Sequence, residues 1–578
     1  MNSDTPSTVV LKFGSSVLSA AGRLPVAVAE IYRHYREGAR VVAVVSAFEG
    51  VTDALLGQAR AYSTEPEPGA LAALISTGEI ASASSLALAL QQAGIPSRFV
   101  DPRDIELVAS GKRLNGDLTS VGVGRLKEFL DESAVLVIPG FFARSDEGGV
   151  ALLGRGGSDL TALYLAETLR TRCILLKDVD GVYEMDPALH VPHPRRFILA
   201  SYRSAETHAG PLIQRKALRF ASERGLTLDV TSVGSSFRTR ILDGPTTLSP
   251  AIEPPRVKVA LLGLGIVGGG VLEYLKCFPR RFDVVGGLVR TTARHLSQGI
   301  APEFLVSSFD ELLAREPDVL VEALPGENPA RAYVARALDA GLNVVTANKA
   351  MLAGDWPFFI SRLSGPRRQL RFSAAVGGGV PMLEAVERLK LRSPIARIRG
   401  ILNGTCNFIL DRCQAGDSLE KAVALAQTEG YAEANPTEDL CGLDSARKIE
   451  ILGRLAFGDQ PECKEVAGIE AALRLMRKSA GSQVRLVAEA EPRESGFVYR
   501  VRPEVLHDGD SLARTAGAQN RLEVWAQDGT HACVSGLGAG RVPTATAMFA
   551  DLLEHARVID SGPAPEHLSL SRSALPLR

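Results

Sequence analysis

Val257-Lys-Val-Ala-Leu-Leu-Gly-Leu-Gly-Ile-Val-Gly268 decides the fold of the second half of this chain, and its position mid-sequence decides the organisation of the whole. The apolar run Val259 to Leu262 predicts a buried strand. Gly263, Gly265 and Gly268 follow it in the spacing Gly-x-Gly-x-x-Gly, and an amphipathic helix comes next. That order is the fingerprint of a dinucleotide-binding βαβ unit. The first glycine permits the tight turn, the second lets the backbone approach a pyrophosphate, and the third lets helix and strand pack closely. Ile266, Val267 and Gly268 open the helix, whose N-terminus faces the phosphates. Such a unit ordinarily opens its own domain, so the residues ahead of it need a separate explanation.

Bulk properties bound the answer. A chain of 578 residues is expected to hold roughly three or four domains at ~150 residues each. Hydrophobic residues at 46% and charged residues at 23% are ordinary for a soluble globular protein. A net charge of −1 offers no attraction for nucleic acid or an anionic membrane, so neither is expected as a partner. No uninterrupted apolar stretch approaches the ~20 residues of a membrane span. The first residues, Met1-Asn-Ser-Asp-Thr-Pro-Ser-Thr8, lack the basic and apolar regions of a signal peptide. Seven cysteines form no Cys-x-x-Cys pair, so neither a zinc site nor a disulfide framework is indicated. A cytoplasmic enzyme is the simplest class.

Upstream of the glycines, short β-branched runs alternate with helical patterns. Val9–Lys12, Val41–Ser46, Val135–Pro139 and Cys173–Lys177 predict buried strands, with helices over Leu71–Ala93 and Leu160–Thr171. This alternation predicts an α/β sandwich with a largely parallel sheet over 1–245. The turn-rich stretch Leu242-Asp-Gly-Pro to Glu253-Pro-Pro255 places a linker at 246–256. A Rossmann domain is expected over 257–350, an α+β substrate and dimerisation domain over 351–545, and a C-terminal helix with a frayed tail over 546–578. The fold class is therefore α/β, with an α+β layer.

The second contact to a dinucleotide belongs at the end of the next strand. Val284-Val-Gly-Gly-Leu-Val-Arg290-Thr-Thr-Ala-Arg294 offers no acid there for a ribose 2′-hydroxyl. Arg290 and Arg294 could neutralise a 2′-phosphate, which favours NADP(H) over NAD.

Three further stretches narrow the reading. They are Val344-Val-Thr-Ala-Asn-Lys349, Ile401-Leu-Asn-Gly-Thr-Cys-Asn-Phe-Ile-Leu410, and Gly430-Tyr-Ala-Glu433-Ala-Asn435-Pro-Thr-Glu438-Asp439 running on through Asp444 to Lys448. With Gly536-Leu-Gly-Ala-Gly540-Arg-Val-Pro-Thr-Ala545, they make residues 257–555 resemble homoserine dehydrogenases. The resemblance implies reduction of aspartate semialdehyde to homoserine, with a homodimer or homotetramer as the assembly. Hydride reduction of an aldehyde needs a proton donor at the forming alkoxide, and lysines whose pKa is lowered by burial and nearby cations suit the task. Asp444 and Lys448, i and i+4 on one helix face, could both point into one pocket. By resemblance, Lys448 donates the proton, Lys349 lies between cofactor and substrate, and Glu433 and Asp444 bind the amino and hydroxyl ends of homoserine. Gly430 and the loop around Gly538 and Gly540 close over the cofactor.

The family also holds a monovalent cation through backbone carbonyls, which adds Na+ or K+ to the expected ligands at Val376, Gly378 and Val380. Ser373 stands where the family has a Glu, Asn435 replaces an Asp, and Cys406 replaces a Thr. These departures bear on cation affinity and substrate KM more than on the reaction. Cys406 would support a different enzyme, a phosphorylating aldehyde dehydrogenase with a thiol nucleophile; a small buried residue is the plainer reading, since no His lies nearby in sequence.

The first half carries another ordered set: Lys12-Phe-Gly14-Ser15-Ser16, Ser46 to Asp53, Ser76-Thr-Gly-Glu79, Gly154-Arg155-Gly-Gly-Ser158-Asp159, and Lys177-Asp178-Val-Asp180-Gly-Val-Tyr183. Residues 8–241 resemble the catalytic domain of aspartate kinases, an amino-acid-kinase fold, which implies aspartate and ATP with Mg2+ as substrates. Phosphoryl transfer needs chiefly positioning and charge neutralisation. Lys12 suits the β/γ-phosphates, and amides of Gly14, Ser15, Ser16 and Gly156–Ser158 can cradle phosphate. Arg155 could fork onto a substrate carboxylate, and Glu79 and Asp159 could hold the aspartate ammonium or Mg2+; Ser46 joins the substrate set. Asp178, Asp180 and Tyr183 would line the nucleotide site. Lys177 replaces a Thr, and Pro211 and Gln214 replace a Lys and a His, with Lys216 as a substitute that could reach the phosphates.

Aspartate kinases normally carry ACT regulatory domains after the kinase. The stretch from Ile241 to Val257 is too short for one, and the chain ends before the ACT extension of many homoserine dehydrogenases. Feedback by threonine or lysine at such domains is therefore not expected. The reading is a fused aspartate kinase and homoserine dehydrogenase on the route to threonine, methionine and isoleucine. The competing reading is one dehydrogenase with an inactive kinase-like binding or oligomerisation module.

Overall fold

The computed structural model describes residues 7–187, 194–210, 212–250, 256–362, 369–433, 435–479 and 481–560. The first body is built on a nine-stranded sheet in the order Thr247–Leu248, Phe197–Ser201, Thr239–Leu242, Leu228–Ser232, Arg172–Lys177, Thr8–Phe13, Arg40–Val45, Val135–Pro139, Ser97–Phe99. Its central strands run parallel, as the α/β alternation requires. Successive side chains of a strand point to opposite faces. Val9, Leu11, Val41 and Ala43 accordingly enter one core with the helices Leu24–Arg36 and Pro68–Gln92. Val10, Val42 and Val44 enter the opposite core with Gly157–Thr168 and Arg215–Glu223. The strands are unbroken apolar runs because both faces are covered.

Pro68–Gln92 is long and apolar enough to cross a membrane by composition, although polar residues interrupt its apolar run. Half of its most apolar window is buried within the protein, and it carries the buried Glu79. Glu67 caps it by accepting from the amides of Gly69 (2.7 Å) and Ala70 (2.6 Å).

A four-stranded sheet of Asn115–Ser120, Val108–Lys112, Phe142–Ser145 and Val150–Leu152 was not predicted. Its strands are short, and Asn115–Ser120 is largely exposed, so the apolar pattern that marks a strand is weak there.

The third sheet holds six parallel strands in the order Leu305–Val306, Phe282–Leu288, Val257–Leu262, Val319–Glu322, Asn343–Thr346, Leu370–Arg371. The order reverses between Val257–Leu262 and Val319–Glu322, the switch point where ligands of doubly wound sheets bind. The last sheet runs Pro461–Val466, Phe497–Leu506, Gln483–Pro492, Ile395–Ile401, Gln519–Ala526, His531–Leu537; every pair is antiparallel except the first. Helices Met382–Lys390 and Leu443–Phe457 share its apolar core with residues of the parallel sheet.

The final helix, Arg541–Asp560, returns to the middle of the molecule. Phe549 is fully buried, with ring centroids 5.1 Å from Tyr274, 5.0 Å from Phe278 and 5.8 Å from Phe282. The same core takes Ile31, Tyr32 and Tyr35 from the first half. Arg36 then pairs with Asp551 at 2.8 Å, both buried, and approaches Glu384 at 3.7 Å. The two halves thus share one apolar core across the turn-rich linker. The expected tail past 560 and residues 251–255 of the expected linker lie outside the described residues.

Candidate functional site

Two sites form at strand ends, one in each half. In the second half, the three glycines do three different jobs. Gly263 adopts φ +88°, and a Cβ there would meet the Ala323 carbonyl at 3.0 Å. A Cβ on Gly268 would lie 2.0 Å from the Gly263 carbonyl, so only glycine lets the helix start this close to the strand. Around Gly265 nothing lies within 4 Å of an added Cβ, which leaves the open approach a pyrophosphate needs. The chain thus fits a dinucleotide. Ile266 and Val267 open the helix Ile266–Lys276 beside it, with Ile266 exposed. Arg290 follows the strand Phe282–Leu288 and Arg294 lies on the next helix, Thr292–Leu296; both are exposed.

Lys349 is aimed by a locked turn after Asn343–Thr346. Asn348 caps the helix Lys349–Gly354 by accepting from the Met351 amide (3.1 Å), and its amide nitrogen donates to the Gly326 carbonyl (2.6 Å). Glu322, fully buried at the end of the adjacent strand, accepts from Thr346 and from the Leu324 amide (2.7 Å). Burial pushes its carboxyl above the ordinary value. This network was missed in the sequence, because its members come from separate strand ends.

The helix Leu443–Phe457 starts after Gly442 (φ +86°) and carries Asp444 in its first turn and Lys448 one turn on. Lys349 Nζ lies 2.5 Å from Asp444 Oδ1, and Lys448 Nζ lies 2.9 Å from Oδ2. Lys448 also donates to the Leu402 carbonyl at 2.9 Å. Burial works to raise the Asp444 pKa, but the two ammonium groups outweigh it and hold the carboxyl well below the carboxylate range. The expectation that lowered pKa values mark these lysines needs correction at Lys349. Burial pulls its pKa down, yet Asp444 outweighs burial and holds it above the ordinary value.

Asn403 was also missed, although an Asn between an apolar strand and a helix is an N-cap signal. It caps Gly404–Gln414 and donates to Asp444 Oδ2 (2.8 Å) and Asp439 Oδ1 (2.7 Å). Asp439 is the second acid here, its carboxyl raised by burial and then by the charge of Asp444. Glu433, expected at the substrate, is exposed on its loop, and no hydrogen bond or ion pair among the described residues joins its carboxylate to the cluster. Gly430 (φ +76°) ends the preceding helical segment.

Cys406 is buried, donates to the Asp439 carbonyl at 3.1 Å, and has its thiol pKa pushed well up by burial. A thiolate nucleophile does not fit these surroundings.

Val376 lies in the short helix Ser373–Gly377, and the turn after it, with Gly378 and Val380, packs backbone against backbone on the late glycine loop. A Cβ on Gly378 (φ +56°) would lie 2.3 Å from the Gly538 carbonyl, and the Gly379 amide donates to Leu537 O at 3.2 Å. The Val380 carbonyl already accepts from the Met382 amide at 2.8 Å. Gly540 takes φ +115° at the start of the final helix. In place of the family's Glu, the Ser373 hydroxyl donates to Glu384 Oε1 (2.7 Å) and its backbone amide donates to Asp551 Oδ2 (3.0 Å).

In the first half, Gly14, Ser15, Ser16, Ser46, Gly156, Ser158, Asp178 and Tyr183 line a cleft of about 1030 Å³. Lys12, Asp159 and Lys177 form its buried charged wall. Asp159 accepts from Lys12 Nζ (2.8 Å) and Lys177 Nζ (3.2 Å). Burial works to raise the Asp159 pKa, but Lys12 and Lys177 hold it below the ordinary value. Asp159 is therefore a bridge between two cations and not an open acceptor for an ammonium. Lys177, which looked like a lost Thr, is a second cation of the cleft. Burial and then the charge of Lys12 pull its pKa down to about 8. Glu79 is buried nearby, and burial pushes its carboxyl up to about 8 against the pull of Lys12.

Other expectations are corrected. Lys216 does not reach the cleft: its ammonium is held by the carbonyls of Gly116 (2.7 Å) and Leu153 (2.9 Å). Asp180 lines not this cleft but the smaller cavity beside it, where it accepts from Tyr183 (2.6 Å) and Arg196 (2.7 Å). Arg155 is exposed and is not among the residues lining the cleft. Pro211 lies outside the described residues, while Gln214 lines the cleft and packs where a Cβ on Gly156 (φ +79°) would fall, at 2.4 Å.

Comparison with known proteins agrees with this division. The family described as amino acid kinase matches residues 7–227. The homoserine dehydrogenase NAD binding domain matches 263–357, and the homoserine dehydrogenase family matches 381–553. A homoserine dehydrogenase of Pseudomonas aeruginosa is 33% identical over 337 residues, covering 55% of this chain and 77% of that protein. One from Corynebacterium glutamicum is 34% identical over 342 residues, with the same 55% and 77% covered. Among solved structures, a homoserine dehydrogenase from Thiobacillus denitrificans has 31% identity and a TM-score of 0.47, covering 53% of this chain and 75% of that one. With an amino acid kinase domain in front, this chain belongs to the homoserine dehydrogenase family.

Proposed function

We propose that the second half reduces aspartate semialdehyde to homoserine with NADPH and that the first half phosphorylates aspartate from MgATP. The observation that carries the dehydrogenase reading is the Lys349–Asp444–Lys448 cluster, with Asp444 and Lys448 buried and Lys349 half-buried, at the carboxyl end of the dinucleotide-binding sheet. A dinucleotide bound over Gly263–Gly268 supplies the hydride. Lys448 gives its proton to the oxygen that becomes the homoserine hydroxyl, which leaves a neutral amine to be reprotonated from solvent. Asp444 fixes both ammonium groups, and Asn403 fixes Asp444. Asp439, at the same carboxamide, is the acid placed to meet the substrate ammonium. Arg290 and Arg294, both exposed past the second strand, favour a 2′-phosphate and hence NADP. Val376 and Gly378 would offer carbonyls to Na+ or K+.

In the first half, Lys12 and Lys177 carry the charge of the transferring phosphoryl group between the cradles at Gly14–Ser16 and Gly156–Ser158. Aspartate attacks through its side-chain carboxylate, and ADP leaves. Lys448→Ala tests the dehydrogenase assignment. Homoserine oxidation is expected to lose about 10²–10⁴ in kcat, with NADPH affinity by fluorescence titration unchanged. A kcat near the parent value would remove Lys448 from the chemistry.

A further inference from the structure

The nucleotide cleft of the first half does not end at its own residues. A second cavity of about 440 Å³ lies at the junction of the two halves. It is walled by Val179, Val233 and Phe237 from the kinase half and by Phe278, Pro279 and Arg280 from the turn after the helix Ile266–Lys276. Ser16, Lys177, Asp178, Tyr183 and Arg280 line both this cavity and the larger cleft, so the two are continuous. One end offers apolar and aromatic surface of a size suited to a small ligand. The other offers the glycine cradles and the two lysines. Arg280 stands at the passage between them.

The turn that presents Arg280 is held from three sides. Arg23 of the kinase half donates to the Cys277 carbonyl at 2.5 Å. Arg281 pairs with Asp560 at 2.8 Å and donates to the Ala556 carbonyl at 2.6 Å, and Ser236 of the kinase half also bonds Asp560. Phe278 packs on Phe549 in the shared core. Arg280 itself is exposed, and no ion pair among the described residues neutralises it. Lys12 and Lys177, by contrast, share the charge of Asp159.

We propose that the dehydrogenase half completes the kinase site: the nucleoside of the phosphoryl donor occupies the junction cavity, and Arg280 binds its polyphosphate. This rests on the kinase reading above, in which a nucleoside triphosphate enters the cleft. The kinase would then be a full nucleotide binder only with the dehydrogenase turn in place.

The test is MgATP affinity of the full-length protein by isothermal titration calorimetry, with homoserine oxidation assayed on the same samples. Arg280→Ala is expected to weaken MgATP binding about tenfold, the size of one charge-assisted contact. Arg280→Lys is expected to stay within about threefold of the parent. Homoserine kcat and cofactor KM should be unchanged in both. Parent-like MgATP binding by Arg280→Ala would overturn the proposal and leave the kinase reading standing. Loss of homoserine oxidation together with MgATP binding would make the turn a structural strut and also overturn it. Failure of the parent protein to bind MgATP would sink the kinase reading, and this proposal with it.

Discussion

Asp444 and Asp159 do the same job in the two halves, each a buried carboxylate bridging two lysines that face a strand-end site. Removing such a bridge would leave two buried or half-buried ammonium groups uncompensated, whereas keeping it holds both in place. At the kinase site the balance is close enough to show in pH. Lys177 has a pKa lowered to about 8, so its ammonium is present below that value and lost above it. Glu79, raised to about 8, is neutral below and gains a negative charge above. Both changes disfavour a polyphosphate as pH rises. MgATP affinity is therefore expected to be highest near pH ~7 and to fall as pH passes through about 8, with a shallower fall in Lys177→Arg, whose guanidinium stays charged. Calorimetric titrations across that range check this, and a flat parent profile would contradict it. Asp444 and Lys448 were legible as a pair because i,i+4 spacing puts them on one helix face, and Lys349 only through the family resemblance of the stretch that carries it. Asn403 and Asp439 were visible only as parts of a motif, since a bond between residues thirty-six apart leaves no local pattern. Lys216 was misread because the carbonyls that capture it lie 100 and 63 residues away in sequence, one of them, that of Gly116, in a polar strand that leaves no apolar pattern.

The turn after Val257–Leu262 is the element most directly read from sequence, and its glycines make separable predictions. Alanine at 268 would place a Cβ 2.0 Å from the Gly263 carbonyl, so the turn must move. Gly268→Ala is expected to cost about 1–3 kcal/mol in thermal or denaturant unfolding, as overpacking does. Gly265 has φ −74° and open space, so alanine there should leave stability within about 0.5 kcal/mol and weaken NADPH binding. Equal loss of stability in both variants would contradict the division of roles. The parallel sheets were legible for the same reason as this turn: buried β-branched runs and helix periodicity repeat along the chain. The four-stranded sheet was not, because half-polar strands a few residues long resemble loops until tertiary contacts pair them.

Across the molecule, the helix Leu24–Arg36 meets the helix Arg541–Asp560 over a distance of 515 residues in sequence, at Arg36 and Asp551. Nothing in a local window announces that contact, so the sequence marked only a linker between the halves and not the core they share. Phe549 lies at the centre of the shared core. Phe549→Ala is expected to cost about 3–5 kcal/mol and to lower the unfolding temperature of both halves together, followed by calorimetry with the two activities assayed after each heating step. Loss of one activity with the other unaffected would show the halves to be independent.

The central claim is that one chain holds two working active sites. Its most direct test is aspartate-dependent acyl phosphate formation from MgATP, trapped with hydroxylamine, with homoserine oxidation measured in the same sample of full-length protein and in Lys12→Ala. Both activities are expected in the parent, with acyl phosphate alone lost in the variant. Homoserine oxidation without any acyl phosphate from the parent would contradict the claim and leave a dehydrogenase carrying a silent kinase fold.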